Sequence, residues 1–309
     1  MRAIQQDTYG GPEVLRLVEV ERPTPAPTEV LVKVQAAGVN PVDWKVRARP
    51  GYFDHTPFTV GWDVAGLVEE VGSGVTRFSP GDPVFGMPKF PREAAAYAEY
   101  VTAPSRHFAR RPAGLSPIEA AGLPLAGLTA WQILVDTADV QPGQRVLVTA
   151  AAGGVGHLAV QIAKARGAHV VGTARAAKHD FVHGLGADEV VDYTAVDVGA
   201  AVRDIDVVVD LPGGESSLQA MPTLKPGGLL VPVTGGANAE IQTAAAERGV
   251  RLVLFLVEPD HAGLEQLAAL VDAGQLRVEV DTVFPLADAA KAHELGERGR
   301  TRGKIVLAV

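Results

Sequence analysis

The chain reads as an α/β protein, with a Rossmann-type doubly wound parallel sheet preceded by a small barrel-like β domain. Three observations predict this. An apolar run at residues 145–149 meets the small-residue turn Ala150-Ala151-Ala152-Gly153-Gly154-Val155-Gly156, and apolar residues at helical spacing follow (Val155, Leu158, Ala159, Ile162, Ala163). Further short apolar runs at 169–174, 189–193, 205–211, 229–234 and 251–257 alternate with helical or turn segments at 178–185, 213–224 and 238–248. That alternation implies right-handed crossovers and parallel strands. Before residue 110, by contrast, short strands are punctuated by Gly and Pro, which suits a small β domain.

In chain order, residues 14–20 form a strand candidate after the Gly10-Gly11-Pro12 turn. The three prolines within residues 22–27 impose an extended loop, since proline breaks helix and central strand alike. Strands are expected at 29–36 and 64–72, and another after the Ser79-Pro80-Gly81-Asp82 turn. Ser116-Pro117-Ile118-Glu119 is a capping box with proline at the first helical position, so a helix starts there. An apolar helix is expected through 127–134, ending before Gln141-Pro142-Gly143. The domains expected are residues 1–121, completed by a returning tail at 263–309, and a dinucleotide domain at 122–262. The tail carries a strand near 277–284, a helix near 286–295 and a strand at 304–309.

Bulk properties narrow the function. A net charge of −8 argues against a dedicated nucleic-acid binder. The glycines, His157 and Gln161 in the longest uncharged stretch disqualify it as a membrane span. There is no cysteine, which rules out disulfides and thiolate metal sites. The first residues show no apolar signal region, so a cytoplasmic location is expected.

The turn has the spacing Ala151-x-Gly153-x-x-Gly156, the dinucleotide-binding pattern with alanine at its first glycine position. Small residues let the backbone approach a pyrophosphate, which then faces the free amides and dipole of a helix N-terminus. Ala151, Gly153, Gly154 and Val155 are therefore candidate cofactor residues. A Rossmann fold selects NAD with a carboxylate at the end of its second strand. Here that stretch is Thr173-Ala174-Arg175-Ala176-Ala177-Lys178, with two cations and no acid. Arg175 and Lys178 suit a 2′-phosphate, Tyr193 could add a hydroxyl to the same pocket, and NADPH is the expected cofactor. The alternative is that the two cations only cap a surface loop.

The segments Ala36-Ala37-Gly38-Val39-Asn40-Pro41-Val42-Asp43, Gly61-Trp62-Asp63-Val64-Ala65-Gly66, Gly81-Asp82-Pro83-Val84, Gly127-Leu128-Thr129-Ala130, 150–156 and Gly303-Lys304-Ile305-Val306-Leu307 resemble the medium-chain dehydrogenase/reductase superfamily. Within it the chain is similar to the zinc-free quinone oxidoreductase (ζ-crystallin-like) branch, along essentially its whole length. The resemblance implies a GroES-like catalytic domain, a Rossmann domain, an active site in the cleft between them, and a homodimer. The zinc alcohol dehydrogenases of the superfamily carry a ligand cysteine where this chain has Asn40, and Gly-His-Glu where it has Gly61-Trp62-Asp63. Without a Lewis acid, metal-assisted alcohol oxidation loses its main transition-state stabilisation.

A metal-free site can still pass hydride to an acceptor made electrophilic by conjugation, with the cofactor carrying the chemistry. The expected substrate is a quinone or α,β-unsaturated carbonyl. The alternatives are an enone or enoyl reductase without quinone activity, and a non-catalytic NADPH-binding sensor or crystallin-like protein. Asn40 is a candidate amide donor near nicotinamide or substrate, or else satisfies a turn before Pro41. Tyr52 resembles the family's pocket tyrosine, or else merely lines the cleft. Thr129 sits where the family's Gly-Leu-Thr-Ala helix approaches the cofactor, or is a core hydroxyl. Leu211, Val233 and Thr234 lie at C-terminal strand ends, where Rossmann ligands bind. Arg302 could neutralise pyrophosphate, or belong to a solvated basic face. His157 is read as packing, and Asp43 and Asp63 as structural carboxylates no less than catalytic ones. The apolar run at 251–257, if it forms a sheet edge, needs a second subunit to cover it.

Overall fold

The computed structural model describes all residues, 1–309. The chain folds as two compact units, Met1–Leu128 with Glu258–Val309, and Thr129–Val257. No helix is long and apolar enough to cross a membrane.

The chain opens with β1 (Arg2–Gln5), β2 (Arg16–Glu19) and the long β3 (Glu29–Val39), then α1 (Pro41–Ala48), β4 (Asp63–Val71), β5 (Pro83–Gly86), β6 (Tyr100–Pro104) and β7 (Phe108–Arg110). The expected 14–20 strand is shortened because Pro12 starts a single 3-10 turn, Pro12–Val14, ahead of it. The capping box at Ser116 is present and starts α2 (Pro117–Ala121). After it, α3 (Pro124–Trp131) runs into a π-helical stretch, Gln132–Thr137.

Five βα repeats and a final strand follow: β8 (Arg145–Val148), α4 (Gly156–Ala165), β9 (His169–Thr173), α5 (His179–His183), β10 (Glu189–Val191), α6 (Val198–Ala201), β11 (Ile205–Asp210), α7 (Glu215–Ala220), β12 (Leu224–Pro232), α8 (Ala239–Arg248) and β13 (Arg251–Leu252). The chain ends with α9 (His261–Asp272), β14 (Val280–Pro285), α10 (Ala289–Glu297) and β15 (Lys304–Ala308).

In the second unit all pairings are parallel, in the order β10-β9-β8-β11-β12-β13. This is the doubly wound order, whose reversal point lies between β8 and β11. Leu147, Val171, Val208 and Leu230 bury the sheet against Ile241 and Ala245 of α8 and Val198 of α6. Signals at the ends of α8 are local. Asn238 is its N-cap, the side chain accepting from the Ile241 amide, and Gly249 closes the helix in the left-handed region.

One expected element is corrected. The apolar run at 251–257 pairs with β12 only through Arg251 and Leu252, with one further bond from the Val253 amide to the Leu230 carbonyl. The next rung requires an N–H from Pro232, which has none, so the ladder stops. Leu254 and Leu256 beyond it are 64% and 59% exposed.

In the first unit, β3 is the central strand. It pairs antiparallel with β4 along its length, with β6 over Glu29–Lys33, and with β15 over Ala36–Val39. The C-terminal strand thus completes a sheet begun by the first hundred residues, in the order β14-β15-β3-β4-β5-β7. Val30, Val32, Val64, Val84, Val101 and Phe108 fill its core.

Candidate functional site

Each unit contributes one cluster of polar or backbone groups that its packing leaves poised for chemistry. In the second unit it is the turn between β8 and α4. A Cβ on Gly156 would lie 2.3 Å from the Ala150 carbonyl oxygen, so only glycine lets the helix start so close to the turn. Alanine is tolerated at the first glycine position for an equally specific reason. The Ala151 methyl faces Gly172 on β9, where an added Cβ would come within 2.9 Å of it. The missing side chain has moved from one strand to the next. Thr173 anchors the turn from β9, its carbonyl accepting from the Ala151 amide (2.9 Å) and its hydroxyl from the Ala150 amide (3.2 Å). Val155 is the N-cap residue of α4, with no side chain on the free amides, and Gly154 is half-buried beside it. His157 is fully buried against the Gly153 carbonyl (2.9 Å), in keeping with a packing role.

Past β9, two of the residues read for the 2′-phosphate, Arg175 and Tyr193, meet. Arg175 is exposed, and its Nε donates to the Tyr193 hydroxyl at 3.3 Å. Lys178 ends the short turn Ala176–Lys178 directly after Arg175. The sequence reading missed Asp192, which arrives from the end of β10. Its Oδ2 accepts from the Ala176 amide (2.9 Å) and its Oδ1 from the Thr194 amide and hydroxyl. These bonds hold its carboxyl below the usual range, the Thr194 hydroxyl contributing most. At the C-terminal ends of β11 and β12, the Leu211 amide donates to the Thr149 hydroxyl (3.0 Å) and the Val233 amide to the Asp210 carbonyl (2.8 Å). Thr234 follows directly. Thr129 is buried in α3.

In the first unit the cluster is a buried polar centre. Asn40 caps α1, its Nδ2 donating to Asp63 Oδ2 (2.7 Å) and its Oδ1 accepting from Lys304 Nζ. Lys304 also pairs with Asp63 at 3.4 Å, and Asp63 Oδ1 accepts from the Leu125 amide (2.7 Å). Asn40, Asp63 and Lys304 are 2%, 0% and 3% exposed. Both heavy atoms of the Asn40 amide are thus engaged internally, leaving one Nδ2 hydrogen. Burial raises the Asp63 pKa in spite of the Lys304 ammonium and the amide donors. Sequence reasoning missed Lys304, which lies 264 residues from Asn40.

Asp43 extends the centre. Its Oδ2 accepts from the Asn40 amide (2.7 Å) and the Tyr97 hydroxyl (2.8 Å), while Oδ1 is buried without a partner. Burial pushes its pKa up to about 7, against the bonds from Asn40 and Tyr97. An ionised oxygen left unsolvated would be costly, so a neutral acid suits the site. Beyond Tyr97 lies His293 Nε2 (3.3 Å), and His293 Nδ1 faces Arg47 Nη1 (3.1 Å). Arginine can only donate, so Nδ1 is the acceptor and Nε2 carries the hydrogen. Burial and the Arg47 charge lower the His293 pKa to about 3. Arg47 also pairs with Glu297 at 2.7 Å.

Tyr52 lies on a loop of the same unit and is 51% exposed. The next residue anchors it: Phe53 packs edge-on against Phe58, its ring 6.0 Å from Trp62, and its carbonyl accepts from the Tyr9 hydroxyl (2.9 Å). Arg302, also in this unit, pairs with Glu279 at 2.8 Å, while its amide donates to Asp281.

The family to which the resemblance points includes zinc enzymes, but the donors present here differ. No three His, Cys, Asp or Glu side chains are grouped to hold a metal. Asp63 is already committed to Lys304, Asn40 and the Leu125 amide, and Trp62 donates its indole N–H to the Arg92 carbonyl. These residues do not fit zinc. The dinucleotide turn does fit its ligand, because its glycines allow a close backbone approach and the start of α4 carries no side-chain cap.

The buried acid and base make a pH test. Between pH 3.8 and about 7 folded Asp43 keeps a proton that the unfolded chain has released, so rising pH lowers stability. Between about 3 and 6.5 the unfolded chain protonates His293 and the folded protein does not, so rising pH raises stability. The two slopes oppose each other where the windows overlap. Asp43→Asn is expected to make the stability slope between pH 4 and 6.5 more positive than in the unaltered protein, and His293→Gln more negative. Urea denaturation across that range checks both, and slopes that do not move contradict the assignment.

Two family models match: an alcohol dehydrogenase GroES-like domain over residues 26–113, and a zinc-binding dehydrogenase over 185–307. A chloroplast envelope quinone oxidoreductase homolog of Arabidopsis thaliana is 38% identical, covering 99% of this chain and 98% of that protein. A solved quinone oxidoreductase from Coxiella burnetii superposes with a TM-score of 0.94 at 38% identity, covering 100% of this chain and 99% of the other. The quinone oxidoreductase of Escherichia coli, solved with NADPH, gives 0.89 at 29%, covering both chains fully. The chain belongs to the medium-chain dehydrogenase/reductase superfamily, in its quinone oxidoreductase branch.

Proposed function

We propose that this oxidoreductase reduces a quinone or an α,β-unsaturated carbonyl with NADPH and without zinc. The observation that carries the reading is the pairing of an uncapped dinucleotide turn with cations at the end of β9. NADPH, when bound, supplies a hydride from its nicotinamide ring; a proton then completes the hydroquinone or the saturated carbonyl.

In this reading the turn at 150–156 holds the pyrophosphate by its backbone, and Thr173 fixes the turn. Arg175, with Lys178 and Tyr193, takes the 2′-phosphate. Asp192 keeps its charge but spends its oxygens on the loop's own donors, which fixes the loop that carries Arg175. Leu211, Val233 and Thr234 line the strand ends along which the rest of the cofactor lies, and Thr129 and Arg302 are the remaining residues assigned to it. Tyr52, exposed on its loop, is the hydroxyl we assign to bonding the acceptor oxygen or relaying a proton. Asn40 has one remaining amide hydrogen for the nicotinamide or acceptor. Conjugated acceptors yield enolates or hydroquinolates, for which water is a sufficient proton source.

The expected result is NADPH oxidation with quinones, enals or cyclic enones, with NADH poorer. Losing the guanidinium in Arg175→Ala removes a charge-assisted contact and raises the NADPH KM by about tenfold, leaving NADH nearly as before. Steady-state kinetics with both cofactors checks this. Failure to oxidise NADPH with any member of a broad quinone and enone panel rejects the reductase and favours a binding protein.

The edge of the second unit's sheet supports a homodimer. The β13 ladder ends early, and exposed Leu254 and Leu256 follow it outside any regular element. A second copy pairing edge to edge would cover them. Light scattering is expected to give twice the chain mass, and Leu254→Asp with Leu256→Asp to give the monomer. An unaltered protein that runs as a monomer contradicts the proposal.

A further inference from the structure

Asp210 is a fully buried carboxylate that forms no ion pair and has no part in the chemistry proposed above. Three hydroxyls serve it instead. Oδ1 accepts from Thr149 (2.8 Å) and Ser216 (2.6 Å), and Oδ2 from Ser217 (2.5 Å). These donors come from separate segments: Thr149 stands at the end of β8 immediately before the turn, and the two serines in the first turn of α7. The Thr149 hydroxyl also accepts from the Leu211 amide, and the Asp210 carbonyl from the Val233 amide. The loop between β11 and α7 is seated closely on the end of β12, since a Cβ on Gly213 would lie 1.8 Å from the Thr234 carbonyl oxygen.

One residue therefore ties together the ends of β8, β11 and β12 and the start of α7, on the C-terminal edge and at the strand reversal where doubly wound sheets bind ligands. We infer that Asp210 is a positioning residue, which, with the Thr149 hydroxyl as its link, sets the spacing between the dinucleotide turn and the Leu211 loop and so sets dinucleotide affinity. The inference rests on the proposal that the turn binds NADPH.

Removing the Thr149 hydroxyl takes the acceptor from the Leu211 amide and one of three donors from Asp210, and so cuts the link between the turn and the Leu211 loop. Thr149→Val keeps the shape and removes the hydroxyl, whereas Thr149→Ser keeps the hydroxyl and loses only a methyl. NADPH binding is read by fluorescence titration of the full chain, with KM values for NADPH and for the acceptor measured alongside. Thr149→Val is expected to weaken NADPH binding by about tenfold and to raise the NADPH KM far more than the acceptor KM. Thr149→Ser restores affinity to within about twofold. Asp210→Leu, which removes all three contacts, gives a larger loss where it folds, and the threonine pair decides the matter where it does not. Unaltered affinity in Thr149→Val, or a Thr149→Ser as weak as Thr149→Val, overturns the inference while leaving the cofactor reading in place. If the unaltered chain binds no NADPH, the cofactor reading itself falls and this inference with it.

Discussion

The first unit depends on a single ammonium group. Lys304 arrives on the last strand and reaches Asn40, just past the end of the adjacent β3, and Asp63, at the start of β4 one strand further on. Two carboxylates, Asp43 and Asp63, are fully buried within hydrogen-bond reach of the same asparagine. Taking such charges out of water costs several kcal/mol per ion, and one cation cannot offset two. The protein eases this by raising the Asp43 pKa to about 7, so that it holds its proton below neutrality, and by placing the Asn40 side-chain amide and the Leu125 amide on Asp63. Asn40 is the joint between the two acids, and its side chain is held from both ends.

The second unit depends on the absence of atoms. Its turn approaches β9 because Gly172 lies opposite Ala151, and it approaches α4 because Gly156 has no side chain. What remains is backbone facing an uncapped helix start, which suits an anion of any phosphate ester. In the proposed reading selectivity is left to the edge, where Arg175 and Tyr193 meet and where Asp192 is bonded to its own loop. The turn and this edge are built from different strands.

The parts legible in the sequence were those encoded locally. The turn, the capping box of α2 and the alternating apolar runs each sit within a dozen residues, and the structure has them in the expected places. What escaped was set by a neighbour distant in sequence. The run at 251–257 looks like a full strand, but Pro232 on the adjacent strand ends it. Asp192 reaches the Arg175 loop from 16 residues downstream. Lys304 stands in an apolar run that gives no hint of Asn40, and Tyr97, His293 and Arg47 have no shared motif at all. Periodicity reveals which face is buried; it does not reveal which buried polar groups find each other.

The polar heart of the first unit is built around an ammonium group, and the proposed reduction takes no metal into its chemistry. The most direct test is to follow NADPH-dependent acceptor reduction by the purified protein before and after exhaustive chelation, with its zinc content measured in parallel. The predicted result is zinc far below one equivalent per chain and a rate that chelation leaves intact. Stoichiometric zinc, with activity that disappears on its removal and returns on its addition, would contradict it.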